Sequence, residues 1–218
     1  MADWYRPPTG TTYGTTVGYV GKYGYGTVFK MNSSGTITTL YGFCALSNCA
    51  DGTSPYAGLI QGTDGRLYGT TSFGGAHNDG TVFSITTGGT LTTLHSFDGA
   101  DGLLPEAGLI QDTNGTFYGT AYGGGASNLG TVFSLSVGLA PFVETRPTSG
   151  EEGAKVIILG SDLISASAVT FNGTAATFTV ISGTAIETTV PAGATSGTVS
   201  VTTRARTLDS NVKFRVMP

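Results

Sequence analysis

Charged side chains are scarce in this 218-residue sequence, where Lys, Arg, Asp and Glu make up only 11% of the positions. An ordinary domain has about a quarter. Long solvent-exposed helices need such residues for their polar faces, so a helical protein is excluded. The net charge is −4, and the basic residues are scattered singly, which leaves no surface for nucleic-acid phosphates. Nothing approaches the roughly 20 apolar residues of a membrane helix. We therefore expect neither nucleic acid nor a membrane as a partner.

An export signal is a further absence, because Met1 is followed by polar and aromatic residues rather than a basic and then an apolar segment. We expect either a cytoplasmic protein or a fragment of a longer exported one. The only cysteines, Cys44 and Cys49, have a spacing that could close a small disulfide loop. Free thiols and a metal site are the alternatives, although zinc needs about four ligands. A disulfide favours an oxidising compartment, hence an extracellular or cell-surface parent protein.

Glycine, by contrast, is abundant at 35 residues, more than twice its usual share of about 7%. The hydrophobic content of 39% argues against disorder, since unfolded chains are poor in aromatic and β-branched residues. The glycines fall between short runs rich in Thr, Val and aromatic residues. This pattern predicts an all-β protein with glycine in the turns.

Three similar segments follow one another with a period of roughly 50 residues. We place the copies near residues 12–56, 57–106 and 107–136, and the cysteine loop lengthens the first. Their shared blocks are Tyr13-Gly-Thr-Thr16, Tyr68-Gly-Thr-Thr71 and Tyr118-Gly-Thr-Ala121, then Gly26-Thr-Val-Phe29, Gly80-Thr-Val-Phe83 and Gly130-Thr-Val-Phe133. The complete middle copy has β-like runs at 57–63, 67–73, 81–86 and 91–97. Four strands in about 50 residues is typical of one β-propeller blade, and a solenoid of stacked hairpins is the alternative.

These blocks resemble the GloVer tandem repeat of bacterial exported proteins, over roughly residues 10 to 136. The resemblance implies a propeller-like exported protein and no particular reaction, because that family is named for its repeats and sorting anchors. The present sequence departs from it by having only about two and a half copies, no leader and no anchor.

So few blades cannot close a ring, and the ends of the repeat region are incomplete. By analogy with other propellers, the chain opens at the second strand of one blade and stops after the third strand of another. An unclosed propeller exposes strand edges and an apolar face, which favour association. We expect self-association, most simply as a two-fold homodimer of six blades, with residues 1–11 and 137–145 as sources of the missing strands.

The composition changes near residue 138, so we divide the chain into domains 1–138 and 139–218. The second domain has short alternating strands such as Lys155-Val-Ile-Ile-Leu159 and Thr198-Val-Ser-Val-Thr202, a pattern that predicts a β-sandwich. It resembles the TIG (IPT) branch of immunoglobulin-like domains. The matching blocks are Pro147-Thr-Ser-Gly150, Gly153, Val156-Ile-Ile-Leu-Gly160, Val169-Thr-Phe-Asn-Gly173, Val190-Pro191 and Val199-Ser-Val201. The resemblance implies a spacer or interaction module.

Catalytic signatures are missing, since neither a Gly-x-Ser-x-Gly elbow nor a Cys-His arrangement occurs. In a propeller, the loops after the second and fourth strands meet at one end, where binding groups usually lie. We predict ligand-binding residues in the first group of loops, namely Tyr19, Lys22, Tyr23, His77, Asn78 and Asn128. The exposed aromatics Tyr19, Tyr23 and Tyr25 are candidates for stacking on a sugar ring.

Two functions remain open, besides a purely mechanical repeat without a ligand. The first is an extracellular, non-catalytic binding or structural protein without a cofactor, which presents these loops to a glycan or protein partner. The second is a metal-dependent phosphoester or ester hydrolase at the propeller mouth. Its divalent ion, such as Ca²⁺, would be held by Asp79, Asp98 and Asp101, with His77 and Asp79 as catalytic groups. Asp101 also has a structural interpretation, as an Asx cap of its own turn.

Overall fold

The computed structural model describes the backbone of residues 4–5 and the whole of residues 10–18 and 24–218. The prediction of an all-β fold is confirmed: the described residues form 21 strands and two short 3-10 helices, Ser47–Cys49 and Leu163–Ser165. In this part of the chain no helix is long and apolar enough to cross a membrane. The chain divides into two compact units, one of residues 1–111 and 117–136 and one of residues 112–116 and 137–218. The predicted domain division at residue 138 stays a prediction.

The first unit contains three antiparallel sheets, each of which follows the order of the sequence. The first sheet is β1 (Trp4–Tyr5), β2 (Thr12–Thr16), β3 (Thr27–Met31) and β4 (Ile37–Gly42). The second sheet is β5 (Ile60–Gln61), β6 (Leu67–Thr71), β7 (Thr81–Ile85) and β8 (Leu91–Ser96). The third sheet is β9 (Ile110–Gln111), β10 (Phe117–Ala121) and β11 (Thr131–Leu135). Each repeated sequence segment therefore corresponds to one sheet.

The ends of the repeat region differ from the expectation. Trp4 pairs with Gly14 and Tyr5 with Tyr13, so β1 gives the first sheet a fourth strand from within the predicted range 1–11. The range 137–145 adds no strand to the third sheet: Glu144, at its end, pairs with Leu159 in the second unit. The third sheet therefore has three strands among the described residues.

The core of the first unit lies between successive sheets. Tyr13, Val28 and Phe43 of the first repeat pack with Leu59 and Phe83 of the second in one buried cluster. The Phe43 and Phe83 rings meet edge to face with centroids 5.1 Å apart. The equivalent Phe97 and Phe133 rings are 5.0 Å apart. The first and the second sheet thus bury apolar residues against the sheet that follows, which explains why the repeats form a series.

The second unit is built from two four-stranded sheets and a parallel strand pair. Its strands are β12 (Glu144–Arg146), β13 (Ser149–Gly150), β14 (Lys155–Leu159), β15 (Ala168–Phe171), β16 (Thr174–Ala176), β17 (Phe178–Ser182), β18 (Ala185–Thr189), β19 (Val199–Thr202), β20 (Thr207–Asp209) and β21 (Arg215–Val216). One sheet has the order β12-β14-β18-β17, the other β16-β15-β19-β20, and β13 pairs with β21.

Both four-stranded sheets contribute alternate side chains to a single core. Val156 and Ile158 of β14 lie in the same buried cluster as Val169 of β15 and Val201 of β19. The rings of Phe171 and Phe214 meet edge to face in that cluster, with centroids 5.1 Å apart. Alternation of buried and half-buried residues along β14, β15, β18 and β19 is what places one face of each sheet on this core.

Candidate functional site

The loops after the second strands of sheets two and three have the same internal support. The side-chain Oδ1 of Asn78 accepts a hydrogen bond from the Gly74 amide over 3.0 Å. At the equivalent place, Oδ1 of Asn128 accepts one from the Gly124 amide over 2.9 Å. Both asparagines have positive φ, 65° and 53°, which Asn tolerates better than most residues. Their side-chain oxygens therefore hold the loops, while both residues remain exposed.

His77 and Asp79 flank this asparagine in the second sheet's loop. His77 is exposed and Asp79 is half-buried. A Cβ added at Gly99 would lie 3.4 Å from Asp79 Oδ2, so this carboxylate approaches the turn that follows the outer strand β8. The predicted residues His77, Asp79 and Asp98 thus belong to neighbouring loops of one end of the second sheet.

Asp98 and Asp101 are linked to each other through backbone amides. Oδ1 of Asp98 accepts hydrogen bonds from the amides of Ala100, at 3.0 Å, and Asp101, at 3.2 Å. Oδ1 of Asp101 accepts one from the Asp98 amide at 3.1 Å. The Asp101 amide is the main cause that lowers the pKa of the Asp98 carboxyl, with smaller contributions from Ala100 and the charge of His77. The ionised form of Asp98 is therefore part of the folded turn.

The sequence-based search missed a contact that involves His95. The His95 ring meets the Phe97 ring edge to face, with centroids 4.9 Å apart. Its Nε2 also lies 2.6 Å from Oδ2 of Asp101. These residues line a cavity of about 160 Å³ with Val82, Phe133, Ser134 and Leu135. The signal available in the sequence was the repeat itself, because Tyr41 and Asp51 occupy the matching positions and are also hydrogen-bonded, at 2.8 Å.

The predicted metal ligands Asp79, Asp98 and Asp101 do not form a coordination group in the part of the chain that the structure describes. No three His, Cys, Asp or Glu side chains lie close enough there to hold one ion. Three other predicted binding residues, Tyr19, Lys22 and Tyr23, lie outside the described residues. Cys44 and Cys49 are joined by a disulfide in the loop that closes over Asp51.

The exposed aromatic residues near these loops form a second set. Tyr25 precedes β3, Phe73 follows β6 and Tyr122 follows β10. All three are exposed, Tyr122 most strongly, at 77%. They belong to the connections between the second and third strands of the three sheets. These connections therefore carry exposed rings next to the exposed asparagines.

Comparison with known proteins identifies the repeat. The sequence model described as the Gloeobacter/Verrucomicrobia repeat matches residues 4–198. The chain belongs to this repeat family. The family resemblance of the repeated blocks is thereby confirmed. The matched range of this Gloeobacter/Verrucomicrobia repeat protein also extends into its second unit.

Among curated proteins no match was found. Two solved structures are similar to the chain at low identity. A γ-CGTase from alkalophilic Bacillus clarkii is 14% identical with a TM-score of 0.32, and the alignment covers 99% of this chain and 26% of that one. A virginiamycin B lyase from Staphylococcus aureus is 11% identical with a TM-score of 0.37, and the alignment covers 99% of this chain and 69% of that one. The chain thus spans about a quarter of the length of the first of these proteins.

Proposed function

We propose that this repeat protein is a non-catalytic, extracellular binding protein whose first unit presents its loops to a glycan. The observation that carries the proposal is the use of the loops' polar side chains. Asn78 and Asn128 hold loop backbone, and Asp98 and Asp101 hold each other's amides. Such groups support a rigid surface, which suits binding better than the proton transfers of a hydrolase.

For the architecture, we propose that each sheet of the first unit is a propeller blade and that the second unit is an immunoglobulin-like sandwich of the TIG type. In-order four-stranded meanders that bury their faces against one another support the first interpretation. The second interpretation is supported by two sheets whose alternate side chains share one core. In this arrangement the second unit serves as a spacer.

The exposed rings of Tyr25, Phe73 and Tyr122 support a sugar as the partner. Aromatic faces provide apolar surface for a pyranose ring, and the amide groups of Asn78 and Asn128 lie in the same loops to meet its hydroxyls. Tyr19, Lys22 and Tyr23 belong to the corresponding connection of the first copy and extend the proposal to it. A protein partner would use the same rigid loop surface.

The test is a glycan array probed with wild-type protein and with two variants. We expect Tyr122→Ala to weaken binding to any glycan hit by about tenfold or more, because it removes an exposed ring. Ile164→Ala is the matched control: Ile164 is also an exposed apolar residue, at 72%, but it lies in the second unit. The glycan proposal is wrong if the array gives no hit, or if both variants bind as wild type.

The alternative is a metal-dependent hydrolase that uses Asp79, Asp98, Asp101 and His77. What favours it is the gathering of these residues in neighbouring loops, where Asp98 is held in its ionised form. The discriminating experiment adds Ca²⁺ to metal-free protein and measures thermal stability and hydrolysis of phosphoesters and carboxylesters. We expect no shift in Tm and no turnover. Turnover that Asp101→Asn abolishes would replace the binding proposal with this one.

A further inference from the structure

The contact between successive sheets is the same at its two occurrences. In the first, the Thr15 hydroxyl of β2 donates a hydrogen bond to the carbonyl of Ala57 over 2.8 Å. In the second, the Thr70 hydroxyl of β6 donates to the carbonyl of Ala107 over 3.3 Å. The acceptor in each case belongs to the Ala-Gly-Leu-Ile segment of the following repeat. One face of each sheet is therefore shaped to receive this segment.

Apolar contacts accompany the two hydrogen bonds. Val28 of the first sheet and Val82 of the second are 0% and 1% exposed, because the next repeat covers them. A proline two residues before the Ala-Gly-Leu-Ile segment reaches the glycine that precedes the third strand. A Cβ added at Gly26 would meet Pro55 Cδ at 2.6 Å, and one added at Gly80 would meet Pro105 Cδ at 2.6 Å. The two contacts thus use the same residue types at the same positions.

On the third sheet the corresponding face is exposed among the residues that the structure describes. Val132, which corresponds to Val28 and Val82, is 79% exposed, and Ile110 beside it is 64% exposed. Thr120, which corresponds to Thr15 and Thr70, is also exposed. We call the surface of Ile110, Tyr118, Thr120 and Val132 the open face. These residues line a groove of about 350 Å³ together with Ala107, Gly108 and Gly119.

We propose that the open face binds the first repeat of a second copy of this chain, in the way that the first and second sheets bind the repeat that follows them. The contact between the second and third sheets would then continue from one molecule to the next. Within this chain no fourth repeat follows the third, because the sequence continues from Ser136 into the second unit.

The first sheet offers one element that such a contact uses. Its β1 places Trp4 opposite Gly14. In the second sheet the matching glycine, Gly69, is covered by Leu59, whose side chain packs into the preceding repeat. Trp4 therefore holds the register position of the leucine in the Ala-Gly-Leu-Ile segment. When each of two molecules receives the other's first repeat, two equal contacts form and the assembly closes as a two-fold dimer.

The chemistry of the open face predicts how the association responds to salt. The surface is apolar and carries no ionisable group besides the Tyr118 phenol, so burial of apolar area drives the contact. Each chain has a net charge of −4, and salt screens the resulting repulsion. We expect association to persist or strengthen at about 1 M NaCl, where a contact built on ion pairs would weaken.

The experiment is sedimentation velocity from low micromolar to about 100 µM protein, with wild type, Val132→Arg and Ile181→Arg. Ile181 is the control, since it is also an exposed β-strand residue, at 58%, but lies in β17 of the second unit. We expect a wild-type dimer, a loss of affinity of about 30-fold or more in Val132→Arg, and none in Ile181→Arg. Unchanged far-UV circular dichroism and Tm would show that both variants fold.

If Val132→Arg does not fold, Ile110→Lys tests the same surface. A wild-type monomer throughout the concentration range contradicts the proposal and would leave the open face to a segment of its own chain. A dimer that both Val132→Arg and Ile110→Lys leave intact contradicts it as well, because the contact then lies elsewhere. The measurement needs no glycan, so its result is independent of the proposed binding function.

Discussion

The imidazole Nε2 of His95 lies 2.6 Å from Oδ2 of Asp101, and the same position of the preceding repeat holds an equivalent pair. There the Tyr41 hydroxyl donates to Oδ2 of Asp51 over 2.8 Å. In both repeats the ring comes from the outer strand and the carboxylate from the turn toward the next repeat. The shared element is the carboxylate, which ties the outer strand to that turn.

Because a phenol performs this role in the preceding repeat, we expect His95→Tyr to preserve the hydrogen bond to Asp101 and His95→Ala to abolish it. Both partners are partly exposed, so the loss in His95→Ala should be about 0.5–1.5 kcal/mol of unfolding free energy. The measurement is urea denaturation at neutral pH. Equal stability of His95→Ala and wild type would contradict this structural role, as would a His95→Tyr variant that loses as much stability as His95→Ala.

Asp98 provides a second prediction, concerning acid stability. Amide donors, chiefly that of Asp101, lower the pKa of its carboxyl in the folded protein below the ordinary value of about 4. The contribution to stability is therefore complete above that value and is lost as the pH falls through the folded-state pKa. We expect Asp98→Ala to lower Tm at pH 7 and the difference from wild type to shrink as the pH falls below about 4.

The control for this prediction is Asp112→Ala, an exposed aspartate for which no comparable set of amide donors is present around the carboxylate. Thermal unfolding of both variants should be followed from neutral pH down to the acid limit of reversibility. A constant difference between Asp98→Ala and wild type over that range would mean that the side chain acts through packing rather than charge.

Much of the first unit could be predicted because its repeats carry their own internal comparison. The glycine and Asn positions recur, so the strands and their turns could be located from three versions of one pattern. The first strand of the second sheet was predicted as residues 57–63 but covers only Ile60–Gln61. Ala57 instead contacts the preceding repeat, and a pattern of apolar residues does not distinguish strand pairing from such packing.

The candidate site was harder to predict, because residue type does not reveal where a side chain's hydrogen bonds go. Asn78 was predicted to bind a ligand because of its place in a loop, and the sequence did not indicate that its side-chain oxygen also accepts a hydrogen bond from the Gly74 amide. The His95–Asp101 pair depends on the distance between the end of β8 and the following turn, which periodicity does not fix. Both contacts are apparent once two repeats are superposed in register, because equivalent side chains make equivalent bonds.

Tyr68 gives a prediction for alkaline stability. Burial, followed by its hydrogen bond to Asp64 and the charge of that carboxylate, raises the pKa of its hydroxyl from 10.0 to about 12, while Arg66 acts in the opposite direction. The ring stacks on Phe117 of the next repeat with centroids 4.2 Å apart. A raised pKa means that the protonated phenol stabilises the fold, fully below about pH 10 and progressively less toward pH 12.

We therefore expect wild type to lose stability between about pH 10 and pH 12 more steeply than Tyr68→Phe, which cannot ionise. At pH 8 the variant should be less stable by about 1 kcal/mol, since it leaves Asp64 without this donor. The measurement is urea unfolding at a series of alkaline pH values. Every other tyrosine is present in both proteins, so parallel curves would contradict the assignment to Tyr68.

Gly69 in β6 is the glycine of the repeated Tyr-Gly-Thr-Thr block, and its presence there has a testable physical cause. Its φ is not positive, so the backbone conformation does not require a glycine. A glycine is required because the neighbouring side chains leave no room for a Cβ. A Cβ there would lie 2.8 Å from Cδ2 of Leu59 and 2.8 Å from Cζ of Phe83, two residues of the buried cluster between the sheets. Overpacking of this kind costs about 1–3 kcal/mol. We expect Gly69→Ala to lower the free energy of unfolding by that amount, as measured by urea denaturation.

Gly88→Ala in the turn before β8 is the control, since its Cβ would have no neighbour nearer than Thr86 Oγ1 at 3.7 Å. A change within about 0.5 kcal/mol is expected there. Equal effects at the two glycines would indicate that backbone flexibility, rather than the close approach of Leu59 and Phe83, explains the glycine in the Tyr-Gly-Thr-Thr block.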